Sequence, residues 1–202
     1  MNEAAPKRVA ALEGEFVTSV SCGRDYTLAL TRDGSLYAWG ANDYGQLGLN
    51  LSVKYQRRPL LVGGALAGRR VVAVAAGDFH AAALCEGGEV FTWGLGKEGQ
   101  LGHGNRDALA VPRRVEALAG AGVTAVACGG GHTAALDGAR QLWLFGRGRS
   151  GQLGRGDQVE STAAYRPLPT LVAALAKGGA DVDVLGVSLG HDHTLALVKP
   201  RK

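Results

Sequence analysis

The sequence predicts an all-β protein made of β-propeller blades, each a four-stranded antiparallel sheet, assembled as a partial or small propeller. Three observations carry this expectation. The segment G-Q-L-G occurs three times, at Gly45–Gly48, Gly99–Gly102 and Gly151–Gly154, each six residues beyond an aromatic that precedes a glycine. The anchor glycines Gly23, Gly77 and Gly129 lie 54 and 52 residues apart, and Gly190 opens a fourth unit 61 residues later. Within a unit the spacing is constant, with 16 residues from Gly23 to Trp39, from Gly77 to Trp93 and from Gly129 to Phe145. Insertions therefore fall between units. Each repeat must bury its apolar face against its neighbours, so the period outranks local propensity.

The elements follow in order. A proline segment, Pro6 to Leu12, is answered by Pro112 to Leu118 and more loosely by Pro59 to Leu66 and Pro169 to Leu175. It suits an edge strand, where the missing N–H costs least. Val17-Thr18-Ser19-Val20, Val71-Val72-Ala73-Val74 and Val123-Thr124-Ala125-Val126 are β-branched runs closed by glycine and read as strands. Thr27-Leu28-Ala29-Leu30 and its counterparts give a second strand. After Asp33-Gly34, Gly87-Gly88 or Asp137-Gly138 a third run alternates with period two. The units span about 6–58, 59–111, 112–166 and an incomplete 167–202, all in one repeat domain. The fourth stops before any aromatic-Gly or G-Q-L-G. Three arrangements fit: part of a longer propeller, pairing with another chain, or a four-bladed closure in which the Pro6 segment joins the last blade.

The chain has 202 residues, 46% hydrophobic and 20% charged, which is ordinary globular composition. No apolar run approaches the roughly 20 residues of a transmembrane helix, and residues 1–15 lack the apolar core of a signal peptide. An intracellular protein, cytoplasmic or nuclear, without membrane insertion is expected. The three cysteines Cys22, Cys85 and Cys128 read as small buried hydrophobes in a reducing compartment. No C-x-x-C pair exists and equivalent positions on separate blades are not expected to converge, so no metal site is assigned. Net charge is +4, with pairs at Arg57-Arg58, Arg69-Arg70 and Arg113-Arg114. A solvated loop surface explains these pairs better than a continuous positive face, which leaves only weak nucleic-acid contact through basic loops.

Histidines recur three residues after the anchor glycine, at His80, His132 and His193, with Tyr26 in the first unit. A buried side chain hydrogen-bonded to neighbouring backbone explains both residue types, whereas acid–base chemistry does not explain the tyrosine. Asp25, Asp78 and Asp192 keep no fixed offset, so no carboxylate pair is argued, and His191 and His193 are not expected to form a chelate. No nucleophile elbow is present. Gly94 to Gly99 resembles a nucleotide loop but recurs as Gly40 to Gly45 and Gly146 to Gly151, without a Gly-Lys-Ser/Thr ending. Arg155-Gly156-Asp157 is read as a chance tripeptide. No catalytic residue and no cofactor are expected.

Aromatics at i and i+2, Tyr37/Trp39, Phe91/Trp93 and Trp143/Phe145, share one strand face and are expected to weld blade to blade. Candidate partner contacts sit where insertions and charge concentrate: Lys54, Tyr55, Arg57 and Arg58; Asn105, Arg106 and Asp107; Arg155, Asp157, Glu160 and Tyr165.

Taken together, V-x-x-V-x-x-G-x-x-H-[TA]-x-A-L, then aromatic-Gly, then G-Q-L-G resembles the repeat of the regulator of chromosome condensation family over nearly the whole chain. The resemblance implies a β-propeller, usually of seven blades, of which this chain holds about half. It implies either an interaction module, as in ubiquitin ligases, ciliary proteins or kinases, or a nucleotide exchange factor for the small GTPase Ran that also docks on nucleosomes. A plant branch senses ultraviolet-B through clustered tryptophans, often in G-W-R-H-T. Here Gly129-Gly130-Gly131-His132-Thr133 lacks that tryptophan, which argues against photoreception. No sizeable inserted wedge for prying open a GTPase is apparent. The expected function is a non-catalytic platform for a protein partner, with exchange-factor activity as the alternative.

Overall fold

The computed structural model describes residues 5–156, 164–176 and 179–201, and fourteen β-strands lie among them. The first sheet runs β1 (Val17–Cys22), β2 (Tyr26–Thr31), β3 (Leu36–Ala41) and β4 (Tyr55–Leu61) in order. The second repeats it with β5 (Val71–Ala76), β6 (His80–Cys85), β7 (Val90–Gly94) and β8 (Leu109–Arg114). The third uses β9 (Val123–Cys128), β10 (His132–Asp137), β11 (Leu142–Arg147) and β12 (Tyr165–Leu171). A fourth sheet holds β13 (Val182–Leu189) and β14 (Thr194–Pro200) alone. All pairings are antiparallel and the register recurs: Tyr26 opposes Gly40, His80 opposes Gly94 and His132 opposes Gly146. These are propeller blades, arranged as a partial propeller.

The proline segments supply β4, β8 and β12, each the outer edge of its sheet, where a residue without an N–H leaves no ladder bond unmade. Each closes the sheet whose other strands precede it. Among the described residues the Pro6 segment forms no strand and pairs with neither β13 nor β14, so the four-bladed closure is not formed there. After each proline segment comes a single 3-10 turn that the sequence reading did not foresee, at Ala10–Leu12, Gly64–Leu66, Glu116–Leu118 and Ala173–Leu175. The repeated Ala-Leu or Glu-Ala-Leu ending was its signal. Leu66 and Leu118 are driven inward and plug the blade base.

The core lies between blades. Leu28, Leu30, Leu36 and Ala38 of the first sheet pack with Ala81, Ala83, Phe91 and Trp93 of the second. Leu84 and Val90 then meet Val123, Ala135 and Phe145 of the third, and Leu136, Leu142 and Leu144 meet Val184 of the fourth. Small side chains in β6, His80-Ala81-Ala82-Ala83-Leu84-Cys85, let the sheets approach closely. Two faces have no neighbouring sheet, and there apolar side chains stay exposed: Val20 at 62% on one end, Leu195 at 66% and Leu197 at 65% on the other.

Candidate interaction face

One face of the arc carries the turns between the first two strands of each sheet and the long loops between the third and fourth. The G-Q-L-G segments lie in these loops and build sockets rather than ligand sites. Gly45, Gly48, Gly99, Gly102, Gly151 and Gly154 all adopt positive φ. Gln46, Gln100 and Gln152 are buried, and each side-chain oxygen accepts the N–H two residues back, from Tyr44, Glu98 and Ser150. That turn aims the glutamine carbonyl at the next blade. The Gln46 carbonyl accepts the Trp93 indole N–H at 2.9 Å, and those of Gln100 and Gln152 accept the hydroxyls of Thr133 and Thr194 at 2.8 Å. Trp93 and Phe145 are sealed from solvent against Gly48 and Gly102, while Trp39, with no blade before it, is only half-buried. Trp93 and Phe145 thus pack across blades, as do Phe91 in the first inter-blade cluster and the partly buried Trp143 in the second. Trp143 also donates within its own sheet to Asp137 at 2.9 Å, and Tyr37 donates to Glu15 at 3.1 Å.

The Tyr26/His80/His132 series also works across blades, which the repeat spacing alone did not show. The Tyr26 hydroxyl donates to the His80 carbonyl of the next sheet. His80 Nε2 pairs with Thr133 Oγ1 at 2.8 Å, and His132 Nε2 with Thr194 Oγ1 at 3.1 Å. Thr133 is thus a joint between three blade elements, and the His-Thr dipeptides at 132–133 and 193–194 were the unused sequence signal. Burial pushes His80 down to about 3, with His132 adding to the shift, and pushes His132 down to about 4. Burial likewise raises the Tyr26 phenol well above its ordinary value. These are neutral, packed groups near pH 7, unsuited to proton transfer. His193, expected to be buried, is exposed in this structure.

The anchor glycines are required for space. A Cβ on Gly77 would sit 2.3 Å from His80 Cε1, and one on Gly23 would sit 2.0 Å from Tyr26 Cε1. Gly129 and Gly190 meet His132 and His193 in the same way. These glycines surround an open cleft of about 470 Å³ near the axis, with Cys22, Ala76, Cys128 and Leu189 beside them. Equivalent positions on separate blades do converge there, against expectation, because the innermost strands radiate from one axis. Among the described residues no set of three metal-ligating side chains forms. Cys22 is exposed rather than buried; Cys85 is buried and Cys128 half-buried beside the cleft, and desolvation pushes their thiols up to about 11 and about 12.

Around the cleft mouth the inner turns carry charge. His191 Nδ1 lies 3.0 Å from Asp78, and Arg147 bonds both Asp192 at 2.5 Å and the His191 carbonyl at 3.2 Å. Phe79 meets Tyr44 edge-on at 5.1 Å with the Arg24 guanidinium 5.6 Å from its ring centre.

The candidate contact residues are placed as follows. Lys54 is exposed at the end of its loop, with its carbonyl accepting the Asn42 N–H at 2.8 Å. Tyr55, Arg57 and Arg58 are not in a loop: they extend β4, because pairing of Tyr55 and Gln56 with Ala41 and Gly40 continues the ladder. Asn105, Arg106 and Asp107 form an exposed loop. Arg155 is half-buried, Tyr165 begins β12, and Asp157 and Glu160 lie outside the described residues. Arg106 and Tyr165, 59 positions apart in sequence, are brought together, the guanidinium lying 4.4 Å from the ring centre. Among the described residues no helix is long and apolar enough to cross a membrane.

Residues 1–202 match the RCC1-like domain. Over 130 residues the chain is 45% identical to human "E3 ubiquitin-protein ligase HERC2", covering 64% of this chain and 3% of that protein. Over 168 residues it is 38% identical to the Arabidopsis thaliana "Ultraviolet-B receptor UVR8", covering 82% of this chain and 38% of that one. The solved structure of Saccharomyces cerevisiae Prp20p superposes with a TM-score of 0.79 at 20% identity, covering 92% of this chain and 44% of that one. The chain thus spans less than half the length of these relatives. It belongs to the RCC1-like domain family.

Proposed function

We propose that this RCC1-like chain is a non-catalytic interaction platform, intracellular and part of a larger protein or assembly, whose loop-bearing face captures a protein partner. The observation that carries this reading is a division of labour. The buried positions repeat from blade to blade, while the face between the third and fourth strands differs in each blade: Asp43 and Tyr44, Lys97 and Glu98, Arg149 and Ser150 occupy corresponding places. Residues fixed for packing are uniform, and those free of packing diversify, as expected of a rigid scaffold with variable loops. His80 and His132, buried and neutral, serve packing between blades. Replacing 104–108 and the Lys54, Tyr55, Arg57 and Arg58 side chains with neutral residues should abolish partner capture at unchanged melting temperature. Unchanged capture rejects the assignment.

The alternative is a guanine-nucleotide exchange factor for a Ran-like small GTPase with chromatin docking. Prp20p, whose structural description includes binding to Gsp1p and histones, favours it by likeness of fold. This reading requires accelerated release of labelled nucleotide from Ran, and a flat release curve at high protein concentration removes it.

A further inference from the structure

On the same face, at the junction of the second and third blades, two arginines share one phenol ring. The Arg106 guanidinium carbon lies 4.4 Å and that of Arg149 4.9 Å from the Tyr165 ring centre, and Arg149 donates to the Tyr165 hydroxyl. Arg106 Nε donates to the Lys97 carbonyl at 2.5 Å, which fixes its fork. The loop bearing Arg106 is itself pinned to the third blade, where the Gly104 N–H donates to the Pro167 carbonyl at 2.7 Å. Arg106, Arg149 and Lys97 are all exposed, and among the described residues no carboxylate pairs with either arginine.

We infer that the Arg106–Tyr165–Arg149 cluster is a docking point for an acidic peptide segment, its two guanidiniums receiving neighbouring carboxylates of a partner protein. The inference rests on the platform reading and names the partner's chemistry. Two like charges held over one ring repel each other in the free protein, and an anion between them relieves that repulsion. Each guanidinium retains unused N–H donors in the planar geometry that matches a carboxylate, and the ordering cost is already met by the ring and the Lys97 carbonyl. The cluster is not a product of the repeat. Position 149 corresponds to Asp43 in the first blade, and Tyr55, which corresponds to Tyr165, has an exposed ring.

A nucleic acid fits less well. The ring of Tyr165, already covered by guanidiniums, offers no open platform for a base.

The test is fluorescence anisotropy of the whole chain with a labelled peptide of alternating Glu and Ser, beside a Lys-Ser peptide and a single-stranded DNA of similar length. Arg106→Gln with Arg149→Gln is compared with Arg8→Gln with Arg32→Gln, which removes equal charge far from the cluster. The expected result is saturable binding of the Glu-Ser peptide alone, weakened roughly tenfold or more by the first pair and little by the second. Equal weakening by both pairs, or DNA binding that exceeds peptide binding and is lost with Arg106 and Arg149, overturns the proposal. Absent peptide binding while loop replacement still abolishes partner capture overturns the acidic class and leaves the platform standing.

Discussion

Trp93 of the second blade donates its indole N–H to the Gln46 carbonyl of the first at 2.9 Å, a bond that ties a strand to the turn of its neighbour. The relation sorts the aromatics by what covers them. Trp93→Ala leaves both a cavity and an unpaired buried carbonyl, and should cost about 3 to 5 kcal/mol in urea unfolding of this chain. Trp39→Ala, at a half-buried ring with no turn against it, should cost clearly less. Equal losses would show that the rings do not act through blade contact.

The socket glycines should separate in the same way. Gly48 and Gly151 both have positive φ, 70° and 79°, but a Cβ on Gly48 would meet Trp93 Nε1 at 2.8 Å whereas one on Gly151 meets nothing within 4 Å. Gly151→Ala should therefore cost about 1 kcal/mol, from backbone strain alone. Gly48→Ala adds a clash and should cost more, read as a larger fall in the urea midpoint.

Much of this was legible in advance. The first three strands of each complete sheet and the position of the G-Q-L-G corners follow from spacing that never varies between Gly23 and Trp39 or their equivalents, whereas the proline strands, which the repeat places at the head of each unit, close the preceding sheet instead. The proline strand at the edge was legible too, because Pro59 and Pro112 cannot donate to an inner ladder. What spacing does not encode is the angle between blades. That angle decides that His80 reaches Thr133, that Cys22 and Cys128 share one cleft, and that Arg106 finds Tyr165. Exposure at the ends, as for Cys22 and His193, depends on which blades are present and not on the repeat.

The buried histidines set a pH dependence with a definite sign. His80 is held down to about 3 in the folded chain, against an ordinary value of 6.5. Above about pH 7 it is neutral folded or unfolded and contributes no slope. As pH falls through 6.5 the unfolded chain gains a proton that the folded chain refuses, so stability drops, and the loss continues toward about 3. By about pH 5 His80 alone should account for about 2 kcal/mol, and His80→Gln should flatten the profile of unfolding free energy against pH. A variant as steep as the wild type would place His80 outside the core.

The thiols offer a direct check on which end is open. With the native chain, a disulfide reagent near neutral pH should modify Cys22 rapidly and leave Cys85 and Cys128, raised to about 11 and about 12, largely unreacted. All three should react in denaturant. Rapid native modification of Cys128 would mean that its half-buried thiol is reached and ionised through the axial cleft.

The central claim is that a rigid repeat scaffold presents its irregular face to a protein. Quantitative mass spectrometry of proteins retained by the wild-type chain and by the loop-replaced chain, with matched melting curves, tests it most directly. The account predicts a defined set of proteins lost with the loops while the fold stays intact. Retention of the same set by the loop-replaced chain would contradict it.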